Sequence, residues 1–249
     1  MNVSPISLMT PAQGSTQAQD RVEQLNSRYQ DVASDLMQRG MSNDYMQTFL
    51  GNQARFVELV AESEPTGGDA KAFVRNLSAE DRAVLQQVHS LGSVITDSNI
   101  DQMSGEGAAN LLRMRGEGQD SNNDGVTDSG TVQIFKFPNS NTPSNVASAW
   151  NRSMDGLSEK DQMLATSAVM TEFMTANMGI DENGKVKRAD PGDIDWVNPF
   201  SADFSYQEWA QKRLDYLDAF KGSISTEQYE GGKRFTSAFL ANLKAEGAA

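Results

Sequence analysis

Apolar residues recur at steps of three and four along most of this chain, a spacing that packed helices satisfy and strands do not. From Ala18 to Arg39, the side chains of Val22, Leu25, Tyr29, Val32 and Leu36 fall on one stripe, and Gly40 follows as a stop. Ser42 opens a second helix bearing Tyr45, Phe49, Phe56, Leu59 and Val60, with an interruption expected at Gly51-Asn52; the loop Glu62–Asp69 closes the hairpin. Helix starts are marked by residues whose side chains can take the free amides of a first turn. Ser78 is one such cap, with Asp81 expected to reach back to it, ahead of Val84, Leu85, Val88 and Leu91. Ser205 with Glu208, and Ser225 with Gln228, read as capping boxes, flanked by the pairs Phe204/Trp209 and Ile224/Tyr229. Gly231-Gly232 is expected to fray the last helix. The helix after Ser158 carries Met163, Met170, Met174 and Met178, which read as core filling, with Gly179 as a left-handed stop; a pliable groove for a partner helix is the alternative.

The expected fold is therefore mainly α: packed helical hairpins in one domain over residues 18–246, behind a disordered tail of residues 1–17 rich in Ser, Thr, Gln and Pro. An inserted acidic loop and short β-hairpin fall within 116–145, where Thr131–Phe137 alternates as a half-buried strand should. Residues 72–88 and 149–169 echo one another, Ala72-Phe73-Val74-Arg75 and Leu77-Ser78 matching Ala149-Trp150-Asn151-Arg152 and Leu157-Ser158. Capped helices resemble one another in any case, so convergence is weighed beside a repeat.

Charge and composition narrow the chemistry. A formal net charge of -13 and a pI near 4.5 disfavour a nucleic-acid backbone as partner, which calls for basic patches. No apolar run is long enough for a membrane span, and the start of the chain lacks a standard secretory signal. There is no cysteine and a single histidine, His89, read as a boundary residue beside an apolar stripe. Thiolate sites, disulfides and two-imidazole sites are excluded, which leaves magnesium or calcium as plausible ions.

The run Asp120-Ser121-Asn122-Asn123-Asp124-Gly125-Val126-Thr127-Asp128 places oxygen side chains at its first, third, fifth and ninth positions. The expected metal ligands are Asp120, Asn122, Asp124, the carbonyl of Val126 and Asp128, with Gly125 supplying the positive-φ bend. Asn, Asp and Gly also make ordinary solvated turns. Three Asp in nine residues repel one another, and a bound cation is the usual compensation. In this span the run resembles the calcium loops of EF-hands, dockerins and related bacterial repeats. It departs from the EF-hand pattern at Thr131, where a bidentate carboxylate is expected, at Thr127, where an apolar residue is usual, and in the strand that follows. The resemblance thus implies a static Ca2+ loop rather than a sensor, borrowing a further carboxylate from Glu117 or from Asp190, Asp193 and Asp195. Asp181-Glu182-Asn183-Gly184-Lys185 has turn residues but too few spaced oxygens and reads as a hairpin turn.

The leading expectation is a non-catalytic, calcium-binding helical interaction module whose partner is another protein, with no catalytic residues assigned. One alternative is an exported effector or appendage-associated protein of the type III or flagellar kind, secreted without a standard signal peptide rather than cytoplasmic. The other is a carboxylate-dependent hydrolase using Glu172, Asp193 or Asp195.

Overall fold

The computed structural model describes residues 16–63, 68–200 and 203–248. It is mainly helical, with ten helices and two two-stranded ribbons among those residues. Most of the expected tail, and Pro65 and Gly67 of the first expected loop, lie outside the described residues. The single domain expected over 18–246 resolves into two compact units, each closing around its own apolar cluster. The first holds the described chain up to Gln119 together with Asp128–Ile134; the second holds Asp120–Thr127 and the chain from Phe135 onward.

In the first unit, α1 (Thr16–Gln38) and α2 (Asn43–Ser63) pack as a hairpin, followed by α3 (Ala70–Asn76), α4 (Ala79–His89), α5 (Asp97–Gln102) and α6 (Gly105–Asn110). The core gathers Val22, Leu25 and Tyr29 of α1, Phe56, Leu59 and Val60 of α2, and Val74, Leu85, Ile100 and Leu111. The α1 stripe drifts by one position at its end, so Ala33 is buried and Val32 is exposed. The interruption expected at Gly51-Asn52 does not occur: Gly51 is exposed on a continuous helix where a missing side chain removes no packing, and Asn52, half-buried, donates to Gln87 of α4 at 2.5 Å. Ser78 caps α4 by accepting the Asp81 amide at 3.1 Å. The Asp81 carboxylate takes the Arg55 guanidinium of α2 in two bonds, of 2.7 and 3.1 Å, and the Ser78 side chain as a lesser partner, without closing a capping box. A charge-assisted fork outcompetes a single neutral bond, and it holds the Asp81 carboxyl below its ordinary range.

In the second unit, α7 (Ser144–Met154), α8 (Glu159–Ala176), α9 (Tyr206–Ala219) and α10 (Thr226–Ala245) surround an aromatic core. Trp150 meets Phe235 and Phe239 edge-on, at centroid distances of 4.9 and 5.5 Å. The Ser225/Gln228 capping box forms in full, whereas Ser205 caps α9 without a reciprocal bond from Glu208. Gly231-Gly232 does not fray α10. Both glycines are buried, and a Cβ on them would stand 2.4 Å from Asp161 and 3.2 Å from Leu217, so they let α10 approach α8 and α9 closely.

The α8 methionines depart most from expectation. Met163, Met170, Met174 and Met178 are 65%, 48%, 53% and 45% exposed, while Ala165, Ala168, Val169 and Phe173 line the core. Small side chains are what a close helix contact admits, so alanine takes the inner face and methionine the outer. Gly179 is not the stop of α8 either. Asn177 ends the helix, and Gly179 lies in β3 (Met178–Ile180), which pairs antiparallel with β4 (Val186–Arg188) across the expected Asp181–Lys185 turn. The other ribbon, β1 (Thr127–Ser129) and β2 (Val132–Ile134), turns at Gly130. The expected strand Thr131–Phe137 is therefore shorter, and it exposes Val132 and Ile134.

Gly130 donates to the Gly107 carbonyl at 2.9 Å, and a Cβ on Gly107 would lie 2.2 Å from the Gly130 carbonyl oxygen. Gly107→Ala should therefore lower stability by about 2 kcal/mol or more, because backbone rather than a movable side chain must give. Gly105→Ala, which meets open space, should stay within ~0.5 kcal/mol of the parent in the same urea melts.

Candidate functional site

The acidic loop is built from bonds between its own side chains and its own amides. Asp120 is 2% exposed, and its two carboxylate oxygens accept the amides of Asp124 at 3.1 Å and Gly125 at 2.9 Å. Asn122 Oδ1 accepts the Asp124 amide at 3.0 Å, and Asp124 Oδ1 accepts the Val126 amide at 2.8 Å. Asn122 Nδ2 also donates to Asp124 Oδ2 at 2.9 Å. Each bond is of the short-range kind that makes Asn and Asp turn formers, and together they curl the side chains of residues 120, 122 and 124 into one turn. Asn123 at φ 58° and Gly125 at φ 88° absorb the curl. At Gly125 a side chain is excluded twice over, by that φ and by the Phe173 ring, which a Cβ would meet at 2.4 Å.

Side chains farther along the second unit hold the loop backbone from outside. Ser140 Oγ accepts the Asp120 amide at 2.9 Å, and Asn141 donates to the Asp120 carbonyl at 2.7 Å. The Trp196 indole donates to the Asp124 carbonyl at 2.8 Å, and Asn198 to the Asn123 carbonyl at 3.0 Å. The spacing of the acidic run points to none of these four residues. Their only local signal is the polar run after Pro138 and an asparagine two residues beyond a tryptophan.

The expected ligand set is thus divided. Asp120, Asn122, Asp124 and Val126 belong to the second unit, and Asp128 to the first. There Asp128 Oδ2 accepts the Ser104 hydroxyl at 2.5 Å, and its amide donates to Glu106 at 2.8 Å. The carboxylates expected to lend support are engaged elsewhere: Glu117 with Arg28, Asp190 with Arg188, Asp195 with Lys187, and Asp193 with the Asp190 amide. Among the described residues no three of His, Asp and Glu stand as a group able to hold a metal ion. The donors that do gather are all hard oxygens, which suit calcium or magnesium and not zinc. Asp120 Oδ2 also accepts Asn139 Nδ2 at 3.4 Å, whereas each oxygen of Asp124 accepts one of the bonds described and so keeps a second lone pair.

Of the carboxylates considered for hydrolysis, Glu172 alone lines a substantial cleft. Its carboxylate accepts the Trp209 indole N–H at 2.9 Å. The cleft, about 730 Å³, is also lined by Asp203, Phe204, Glu208, Arg213 and Tyr216. Burial lowers the Arg213 pKa, partly offset by the Glu172 charge.

His89 is buried in the first unit rather than placed at its boundary. Its Nε2 lies 3.0 Å from the Leu111 carbonyl oxygen, which requires the proton on that nitrogen, and Nδ1 lies 3.4 Å from Ser129 Oγ. Burial pushes its pKa down from 6.5 to about 4. Between those values the unfolded chain binds a proton that the folded chain refuses. Stability present above about pH 6.5 is accordingly lost as pH falls toward 4. Urea melts at pH 7.5 and 4.5 should show His89 contributing about 2–3 kcal/mol of that loss, seen as a shallower pH dependence in His89→Gln.

No protein-family model, no curated protein and no solved structure matches this chain.

Proposed function

We propose that this is a non-catalytic interaction protein whose acidic loop takes a calcium ion as a static clamp. Support comes from one observation: the alternate oxygens of Asp120, Asn122 and Asp124 are drawn into a single turn that Ser140, Asn141, Trp196 and Asn198 hold in place. Those three side chains and the Val126 carbonyl are the ligands, with water completing the six to eight oxygens that calcium takes. Two carboxylates make a weak site, of roughly 10⁻⁴ to 10⁻³ M.

Calcium at about ten times its dissociation constant should stabilise the chain by roughly 1.4 kcal/mol, a rise of a few degrees in melting temperature. Asp124→Asn keeps the oxygen that accepts the Val126 amide but drops the charge and the bond from Asn122 Nδ2, so it should cost about 1 kcal/mol without calcium and lose the calcium response. Titration calorimetry without heat, together with an unmoved melting temperature, would refute the clamp.

A second reading, a carboxylate-dependent hydrolase acting on polysaccharide, draws on the cleft where Glu172, Asp203 and Glu208 stand among Phe204, Trp209 and Tyr216. It predicts reducing-sugar release from a soluble polysaccharide panel, abolished by Glu172→Gln; absence of release across the panel removes it.

A further inference from the structure

The outer face of α8 is uncharged in an acidic chain. From Met163 to Met178 the only charged residue is Glu172, and its carboxylate is bonded to the Trp209 indole. The hydroxyls on this face turn inward. Ser167, Thr171 and Thr175 each donate to the carbonyl four residues back, at 2.8, 2.8 and 2.9 Å, leaving thioethers and methyls outermost. The ribbon that follows extends the surface, since Met178 and Ile180 share one strand face and Val186 pairs opposite Ile180. Met163, Met170, Met174, Met178, Ile180 and Val186 are each 45% to 77% exposed. Their apolar area is on the order of several hundred Å², at the upper end of what a monomer leaves to water and near the ~800 Å² a side of a standard interface.

We infer that this face is a two-fold interface between two copies of the chain, α8 packing antiparallel against α8 of its partner. Two observations select a second copy. Met163, Ser167, Met170 and Met174 follow steps of four, three and four, the spacing of a helix–helix seam. In an antiparallel pair with its axis between positions 167 and 170, Met170 of each copy lies over Ser167 of the other, large on small, and Met163 faces Met174. The charge agrees: chains that each carry -13 repel over most of their surface, and the neutral stripe lets like meet like without opposing carboxylates. A basic partner would find nothing there to attract it.

Sedimentation velocity over about 1–200 µM in EDTA, which sets the calcium loop aside, should show a monomer–dimer equilibrium that tightens as salt screens the net charge. Met170→Glu places two like charges beside the axis and should weaken dimerisation by more than about tenfold, with the melting temperature unchanged at dilutions where the parent is monomeric. Met37→Glu, at an exposed methionine of α1, should leave it intact. Because the chain has no cysteine, Ser167→Cys combined with Met170→Cys should oxidise to a covalent dimer. A monomer at every concentration would overturn the inference, since something other than a second copy then covers the stripe. So would a dimer indifferent to Met170→Glu, or a monomer that instead binds neutral phosphatidylcholine vesicles.

Discussion

In each unit a carboxylate at the third residue of a helix grips an arginine from a neighbouring helix. In the first unit Asp81 of α4 holds Arg55 of α2; in the second Asp161 of α8 takes Arg234 of α10 at 3.0 Å. Both aspartates sit three residues after a serine cap and offer it their amide, Ser78 at 3.1 Å and Ser158 at 3.2 Å. One short segment thereby satisfies an orphan amide, places a negative charge at the positive end of a helix and fixes that helix against its neighbour. The echo between residues 72–88 and 149–169 thus extends beyond sequence to the same job done once in each unit. Each aspartate joins the cap of its helix to a neighbouring helix while the apolar clusters fill the core between them.

How much of this the sequence discloses depends on whether the determining contact is local. Caps at Ser78, Ser158, Ser205 and Ser225 are local, and all four appear where their spacing puts them. The turn of Asp181–Lys185 is local as well, with Asp181 accepting the amides of Asn183 and Lys185 at 2.9 and 2.8 Å. The inward curl of residues 120–126 belongs with them. Partners distant in sequence were not legible: Arg55 for Asp81, Trp196 for the Asp124 carbonyl, Ser104 for Asp128. Spacing groups Asp128 with the other loop acids and does not report its bonds to Ser104 and Glu106.

Helix α8 shows the same limit from the side of packing. It carries apolar residues on two faces, and ranking them by hydrophobicity selects the methionines as core. What decides is which face meets the other helices, and one such approach depends on Gly231, some seventy positions away, against which Asp161 and Leu164 of α8 pack. The inner face is filled by Ala165, Ala168, Val169 and Phe173 instead. The stripe that looks most like core is for that reason left on the outside.

The buried imidazole carries a consequence for how the protein meets changes in its surroundings. With its one histidine committed to Leu111 and held neutral, and with no cysteine, the folded chain has lost the side-chain chemistry that ordinarily adjusts charge near neutrality. Between about pH 4 and 6.5, where a free imidazole would take up a proton, this one adds no charge to the folded chain. Mild acid reaches it by another route, as a load on the core around Phe56 and Leu111 rather than as a signal read at its surface.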